Sequence, residues 1–188
     1  MDKKDDLYES VFDKCRDVFR NKYEDYGSSW RVLRLTSITD QIFIKIQRIR
    51  TIQEKAEQYV NDPICDDVIG IVNYSIIALM QIHFNKEGVK KIDLSLNEVM
   101  TSYDSIFGEI YDLYLKKNHD YGEAWKLMRT ESIVDMILTK IMRLRKIEQN
   151  NWNVTVSENI DSVYSDIVNY GMFLYLKWNN LVKTDDYN

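Results

Sequence analysis

Proline and glycine are scarce in this chain, which has one Pro and six Gly among 188 residues. Both residues interrupt helices, so their scarcity, together with long runs rich in Ile, Leu, Lys and Glu, predicts a mostly helical protein. The chain also has no glycine-rich phosphate loop and no G-x-S-x-G motif. The sequence therefore gives no support to a dinucleotide-binding sheet, a P-loop or a serine-hydrolase triad.

Cysteine and histidine are equally sparse. Cys15 and Cys65 form no C-x-x-C pair, and His83 and His119 show no metal-ligand spacing. A zinc site is therefore unsupported, and both thiols are expected to be reduced and partly buried. The first ten residues, MDKKDDLYES, lack the apolar core of a signal peptide. We therefore expect a cytoplasmic protein.

Positive charge is also in deficit, because the formal net charge is −5 and the pI is about 5.1. A general duplex nucleic acid partner is not expected, since such binders usually carry a basic excess. The most apolar segment, Val68 to Phe84, is interrupted by Asn73, Gln81 and His83. This segment predicts a buried helix rather than a membrane span, and no membrane partner is expected.

A repeat is the main positive feature of the sequence. The segment from Lys22 to Arg50 has a near-copy from Lys117 to Arg145, 95 positions later. Fixed-period self-similarity defines a structural unit, and two copies suit a duplicated domain with internal pseudo-two-fold symmetry. A shared core would preserve only apolar periodicity, but these copies also preserve charges. The residues of the first copy that recur identically include Asp25-Tyr26-Gly27, Trp30, Arg34, Ser37-Ile38, Asp40, Ile42, Lys45-Ile46, Arg48 and Arg50.

The apolar periodicity and the capping signals predict six helices. Gly27 is a natural left-handed stop for the first helix, and Ser37 with Asp40 resembles a capping box for the second. Asp62 is expected to cap the third helix, and Ser95 with Glu98 the fourth. The predicted helices are 5–23, 37–59, 63–85, 95–120, 132–150 and 157–182, with an Asn-rich turn at 150–153 and a frayed tail at 183–188.

These elements predict an all-α fold: a pseudo-two-fold helical bundle built from two repeated three-helix units. We expect the first unit at 1–86, a linker at 87–94 and the second unit at 95–188. One unit cannot easily cover its own apolar faces, so the two should pack together as one globular domain. A homodimer is a further possibility that the sequence leaves open.

Two lysines lie in unexpected places. Lys45 falls inside the apolar stripe of the second helix, and Lys140 occupies the same position in the fifth. Such a charge is costly unless an anion meets it. One interpretation is a lysine that reaches an interface edge or pairs with a carboxylate. The other is phosphate binding, with Arg48 and Arg143 flanking the lysines.

The repeated carboxylates and amides form a second set of candidates. Asp40 and Asp135 are either capping residues or site residues, and Asp25 and Asp120 either stabilise the turn or support a site. Asp166 and Asn169 lie on adjacent turns of one helix face. Their oxygens could hold Mg²⁺, with Asp135 and Asp166 as catalytic and metal-binding residues, or they could satisfy buried partners. The equivalent positions in the first half are Gly70 and Asn73.

The aromatic candidates follow each glycine turn. Tyr26 with Trp30, and Tyr121 with Trp125, are spaced four residues apart. They are either core plugs or pocket residues on which a base stacks.

The paired motifs D-Y-G-x-x-W, S-I-x-D-x-I-x-x-K-I-x-R-x-R and I-V-N-Y together resemble the nucleotide modification associated domain family, formerly a domain of unknown function, in its duplicated form. This resemblance implies an association with nucleotide-modification systems. The family looks similar to the all-α MazG-type NTP pyrophosphatases, helical bundles that use helix-borne carboxylates and Mg²⁺. Their E-x-x-E and E-x-x-D signatures are not met here, where the nearest counterparts are Ser132-x-x-Asp135 and Asp166-x-x-Asn169.

Three functions follow from these residues. The first is a Mg²⁺-dependent NTP or dNTP pyrophosphohydrolase-like enzyme, in which Lys140 and Arg143 hold phosphate and Tyr121 or Trp125 stacks the base. The second is a nucleotide sensor that uses the same pocket without turnover. The third is a helical interaction module whose charges are internal ion pairs. In the first two cases the expected partner is a small-molecule nucleotide.

Overall fold

The computed structural model describes residues 5–150 and 159–182. Within these ranges the protein is an all-α helical bundle, as the sequence predicted. A short 3₁₀ helix separates the first two helices of each half. The long helices are α1 Asp6–Tyr26, α2 Leu35–Lys55, α3 Ile64–Lys86, α4 Leu96–Asp120, α5 Thr130–Gln149 and α6 Ile160–Trp178, and the 3₁₀ helices are Ser29–Val32 and Ala124–Leu127.

Local sequence signals explain several helix ends. Ser95 and Glu98 form the predicted capping box at the start of α4, with hydrogen bonds in both directions. Gly27 follows α1 with φ of 60° and ψ of −150°, a combination that is essentially restricted to glycine. The Asn-rich turn, the predicted start of α6 at residue 157 and the tail at 183–188 lie wholly or partly outside the described residues.

The capping assignment of Asp40 is wrong. Helix α2 begins at Leu35, and the backbone of Arg34 occupies the N-cap position with no side-chain cap. Asp40 therefore lies inside the helix, more than one turn past its start. The equivalent Asp135 also lies inside its helix, because α5 begins at Thr130. A further correction is that Pro63, rather than Asp62, occupies the N-cap position of α3.

Helices α3 and α6 form the centre of the bundle. They pack on each other, α3 also packs on α2, and α6 on α5. A Cβ added at Gly171 of α6 would lie 2.8 Å from Val72 Cγ2, so glycine permits this close approach. Among the described residues, α3 alone is long and apolar enough to cross a membrane by length and composition. However, 83% of its most apolar window is buried inside the protein.

Contacts between the two halves follow the pseudo-two-fold relation. Phe12 of α1 stacks on Phe107 of α4, which is its equivalent 95 positions later. The Tyr8 hydroxyl donates to Asn169 Oδ1 at 2.6 Å, and the Tyr103 hydroxyl donates to Asn73 Oδ1 at 2.6 Å. Each tyrosine is fully buried, and burial raises its pKa. These reciprocal hydrogen bonds satisfy polar groups in the core and tie each half to the other.

Candidate functional site

A glycine turn and a 3₁₀ helix build the same corner in each half. Gly27 and Gly122 both have positive φ, 60° and 58°, and redirect the chain after α1 and α4. The 3₁₀ helices that follow carry Trp30 and Trp125. The recurring D-Y-G-x-x-W motif therefore encodes a defined corner, in which glycine permits the turn and tryptophan faces the bundle.

A polar side chain from α3 or α6 holds each corner in place by hydrogen bonds to its backbone. Gln81 Nε2 of α3 donates to the carbonyl oxygens of Arg31 at 3.1 Å and Leu33 at 3.0 Å. Lys177 of α6 occupies the equivalent position, 96 residues later, and donates to the carbonyl of Lys126 at 2.6 Å. Burial lowers the pKa of Lys177. Gln81 and Lys177 differ in residue type, so the repeat alone does not indicate their shared role.

Two clefts open beside these corners, and they are equivalent. The first has a volume of about 260 Å³ and the second about 380 Å³. Every residue that lines the second cleft has its repeat equivalent in the lining of the first. The matched lining pairs include Lys22 and Lys117, Tyr26 and Tyr121, Trp30 and Trp125, Gly70 and Asp166, Asn73 and Asn169, and Tyr74 and Tyr170.

The structure separates the roles of the paired aromatic residues. Tyr26 is 68% exposed and Tyr121 is 72% exposed, at the rims of the two clefts. Trp125 is buried and stacks on Phe173 with ring centroids 4.3 Å apart. Trp30 is half-buried, and its buried Nε1 has no hydrogen-bond partner among the described residues. The tryptophans are therefore cleft walls, whereas the tyrosines offer open ring faces.

Buried asparagines form the floor of each cleft. Asn73 and Asn169 line the first and second clefts, and each accepts the cross-half tyrosine hydrogen bond. Asn73 Nδ2 also donates to the backbone carbonyl of Cys15 at 3.0 Å. These hydrogen bonds fix the orientation of both amides at the cleft floor.

The two predicted phosphate-binding lysines have carboxylate partners inside the chain. Lys45 Nζ lies 3.4 Å from Asp67 Oδ1, and Lys140 Nζ lies 2.6 Å from Asp166 Oδ2. Arg48 also pairs with Asp67. None of these three cations is among the residues that line the clefts, and neither is Arg143.

A different pair of lysines lines the clefts. Lys22 and Lys117 lie one turn before the rim tyrosines, at equivalent positions of the repeat. Lys117 Nζ lies 3.6 Å from Asp166 Oδ1, whereas no described carboxylate lies within ion-pair distance of Lys22. Neither lysine was among the predicted site residues, although each is the first identical residue of its repeat copy.

The remaining repeated carboxylates lie outside the clefts. Arg145 donates to Asp40 at 2.7 Å, and Arg50 lies 3.7 Å from Asp135. The repeat relates these two ion pairs between α2 and α5, because Asp40 is equivalent to Asp135 and Arg50 is equivalent to Arg145. Asp25 and Asp120 lie exposed near the glycine turns, and Asp120 is 3.2 Å from His119.

The predicted Mg²⁺ site has no ready set of ligands in the described structure. Asp135 faces Arg50, whereas Asp166 faces two lysines, so the two carboxylates share no partner. No group of three or more His, Cys, Asp or Glu side chains among the described residues could hold a metal ion. Asp135 and Asp166, as they are paired here, do not form a set of Mg²⁺ ligands. Binding of Mg²⁺ by this protein stays a prediction without structural support.

Comparison with known proteins identifies the family from the same two segments that build the clefts. The model of nucleotide modification associated domain 1 matches residues 22–82 and again residues 117–177. No curated protein and no solved structure matches the chain. The two matched segments cover more than half of the chain and run from the cleft lysines into α3 and α6. The chain therefore belongs to the nucleotide modification associated domain 1 family, in which it carries two copies of the domain.

Proposed function

We propose that this protein binds a nucleoside phosphate through its aromatic clefts, with the base on an exposed rim tyrosine and the phosphate at a cleft lysine. The observation that carries the proposal is the repetition of an exposed tyrosine, a tryptophan wall and a lysine around one cleft in each half. The family description, which refers to nucleotide modification, agrees with this chemistry.

The exposed tyrosines support base recognition. A ring left about 70% exposed at both of two equivalent positions contributes little to folding, since most of its surface stays in water. Stacking of a base on an aromatic side chain contributes about 1–3 kcal/mol and tolerates any base. Tyr26 and Tyr121 are thus suited to stack a ligand, while Trp30 and Trp125 shape the walls.

The cleft lysines support phosphate recognition better than the lysines in the apolar stripes. Lys45 and Lys140 each have a carboxylate partner, which offsets their charge. Lys22 and Lys117 line the clefts near the rim tyrosines. An ammonium group acts on phosphate as a mobile point charge, so a lysine at the cleft suits the phosphate end of a bound nucleotide.

The sizes of the clefts also suit a small ligand. The second cleft, about 380 Å³, lies in the range of roughly 300–1,000 Å³ that is typical of small-molecule pockets. The first, about 260 Å³, is slightly below it. Both open to solvent beside the exposed tyrosines, so a base would be held between protein and solvent with the phosphate at the mouth.

Binding without turnover is the form of the hypothesis that the geometry supports best. Hydrolysis of a nucleoside triphosphate in a MazG-type site would need carboxylates gathered around Mg²⁺. Here Asp166 contacts Lys117 and Lys140, and Asp135 pairs with Arg50 on another face. We therefore place the protein closer to a nucleotide sensor than to a pyrophosphohydrolase, and the MazG resemblance stays a prediction.

A thermal-shift screen with NTPs and dNTPs, with and without Mg²⁺, tests the proposal. A ligand that binds only the folded state raises its stability, by about 2.7 kcal/mol at 100 times Kd. The double variant Tyr26→Ala/Tyr121→Ala should lose the shift. Tyr59→Ala is the matched control, because Tyr59 is 89% exposed and lies outside both clefts. Pyrophosphate release in the same samples separates turnover from binding.

A second candidate is a helical interaction module, which the internal ion pairs favour. Lys45, Lys140, Asp40 and Asp135 all have partners of opposite charge within the chain. On this account the repeated charges only hold the two halves in register. No nucleotide would shift the unfolding temperature, and the rim tyrosines would be replaceable without loss of any ligand response.

A further inference from the structure

We infer that the two clefts have different charge preferences: the first takes the phosphorylated nucleotide, and the second takes a neutral nucleoside whose hydroxyl groups donate to Asp166. This inference rests on the proposed function, because it assigns ligand classes to the same two clefts. It follows from the one charged position at which their otherwise matched linings differ.

The charges in the linings differ by one carboxylate. Lys22 is the single charged residue in the lining of the first cleft within the described structure. The second cleft has Lys117 at the equivalent position, but Asp166 replaces the equivalent of Gly70. The formal charge of the lining is therefore +1 in the first cleft and zero in the second.

The first half has kept a carboxylate, but one helical turn earlier. Asp67 of α3 pairs with Lys45 and Arg48, and it is not a lining residue of the first cleft. Its equivalent in α6 is Val163, which is fully buried. Each apolar-stripe lysine thus has one carboxylate partner, and that partner lies at the cleft only in the second half.

Packing around Gly70 shows why the first cleft lacks the carboxylate. A Cβ built on Gly70 would lie 2.6 Å from Lys45 Cε and 2.8 Å from Lys45 Cδ. The Lys45 side chain therefore occupies the space into which a residue like Asp166 would extend. It reaches past Gly70 to Asp67, which leaves no acidic group facing Lys22 at the cleft.

The ligand classes follow from this difference. No described carboxylate lies within ion-pair distance of Lys22, so its ammonium is open to phosphate. Asp166 is shared between Lys140 at 2.6 Å and Lys117 at 3.6 Å, and it partly offsets the charge of Lys117. A phosphate in the second cleft would also meet the like charge of Asp166. Carboxylate oxygens accept hydrogen bonds from hydroxyl and amino groups. The second cleft is therefore suited to a sugar hydroxyl or an exocyclic amine, with the ring on Tyr121.

Titration calorimetry with the four deoxynucleoside 5′-monophosphates and the matching deoxynucleosides tests the inference. We expect one monophosphate site, lost in Lys22→Met and kept in Lys117→Met. Gly70→Asp should weaken monophosphate binding on the order of tenfold relative to Gly70→Asn, the size expected for one screened charge nearby. Gly70→Asn controls for the displacement of Lys45, because both variants add a similar side-chain volume.

The second cleft has a matching test. Asp166→Asn removes the negative charge and keeps the side-chain size. It should improve monophosphate binding at the second cleft on the order of tenfold, because Lys117 and Lys140 then lose the carboxylate that they share. Equal monophosphate affinity at both clefts of the native protein, or loss of binding in Lys117→Met alone, would overturn the inference and leave nucleotide binding intact. The absence of binding by every probe would instead overturn the proposed function.

Discussion

Lys140 Nζ of α5 lies 2.6 Å from Asp166 Oδ2 of α6, and the lysine side chain is only 12% exposed. This ion pair accounts for a charge that interrupts the apolar stripe of an otherwise amphipathic helix. In the other half, Lys45 pairs with Asp67 of α3, which lies one turn before Gly70, the position equivalent to Asp166. The embedded lysines are thus internal parts of the bundle, and we propose the lysines at the clefts, rather than these, for ligand recognition.

Removal of Lys140 should destabilise the protein. Lys140→Met leaves Asp166 with the more distant Lys117, and we expect a loss of about 1–3 kcal/mol in the free energy of unfolding, below the value for a fully buried pair. Urea denaturation of Lys140→Met, Asp166→Asn and the double variant measures the coupling, expected to be at least about 0.5 kcal/mol. Strictly additive losses would show that the two groups do not interact.

The buried tyrosine–asparagine hydrogen bonds should contribute to stability equally in the two halves. Tyr8→Phe and Tyr103→Phe each leave a buried asparagine oxygen without its donor, and each should cost about 1–2 kcal/mol in urea denaturation. Tyr26→Phe is the matched control, because Tyr26 is largely exposed. A loss in only one of the two buried variants would contradict the pseudo-symmetric arrangement of the core.

Acid should weaken the start of α4. The Ser95 hydroxyl and backbone N–H both donate to Glu98, which lowers the pKa of Glu98 to about 2. A carboxyl group whose pKa is lower in the folded state than in the unfolded state stabilises the fold. This contribution is fully present at pH values above the unfolded pKa of about 4.3, and it is lost as the pH falls toward 2.

The measurement is the pH dependence of unfolding for native protein and Glu98→Gln. The difference in stability between them should shrink as the pH falls from about 5 to 2. Glu131→Gln serves as the control, since Glu131 lies in the first turn of α5, whose N-cap has no side-chain hydrogen bond. A constant difference between native protein and Glu98→Gln across this pH range would count against the capping box.

Much of the fold could be predicted because its information is local or repeated. The periodicity placed the helices, and the 95-residue repeat indicated two related halves. Helix starts at Leu35 and Thr130 escaped prediction because neither α2 nor α5 has a side-chain cap. The extended backbones of Arg34 and Arg129 begin these helices directly after the 3₁₀ turns, and no residue type marks such a start.

The candidate site was less accessible from sequence. The repeat identifies Tyr26 and Tyr121 as candidates. Their exposure could not be predicted, because it depends on how each glycine turn packs against α3 or α6. The partner of Lys45 could not be found by matching the halves, because Asp67 and Asp166 are not equivalent positions. Partners on different helices become visible only when the packing of those helices is known.

The central claim is that the rim tyrosines and cleft lysines hold a nucleotide. Titration calorimetry of the native protein and of Tyr26→Ala/Tyr121→Ala, with the full set of NTPs and dNTPs, tests it most directly. The account predicts saturable heat with native protein and at least a tenfold weaker affinity in the double variant, since stacking contributes about 1–3 kcal/mol per base. Equal affinity in the two proteins, or no heat with any nucleotide, would contradict it.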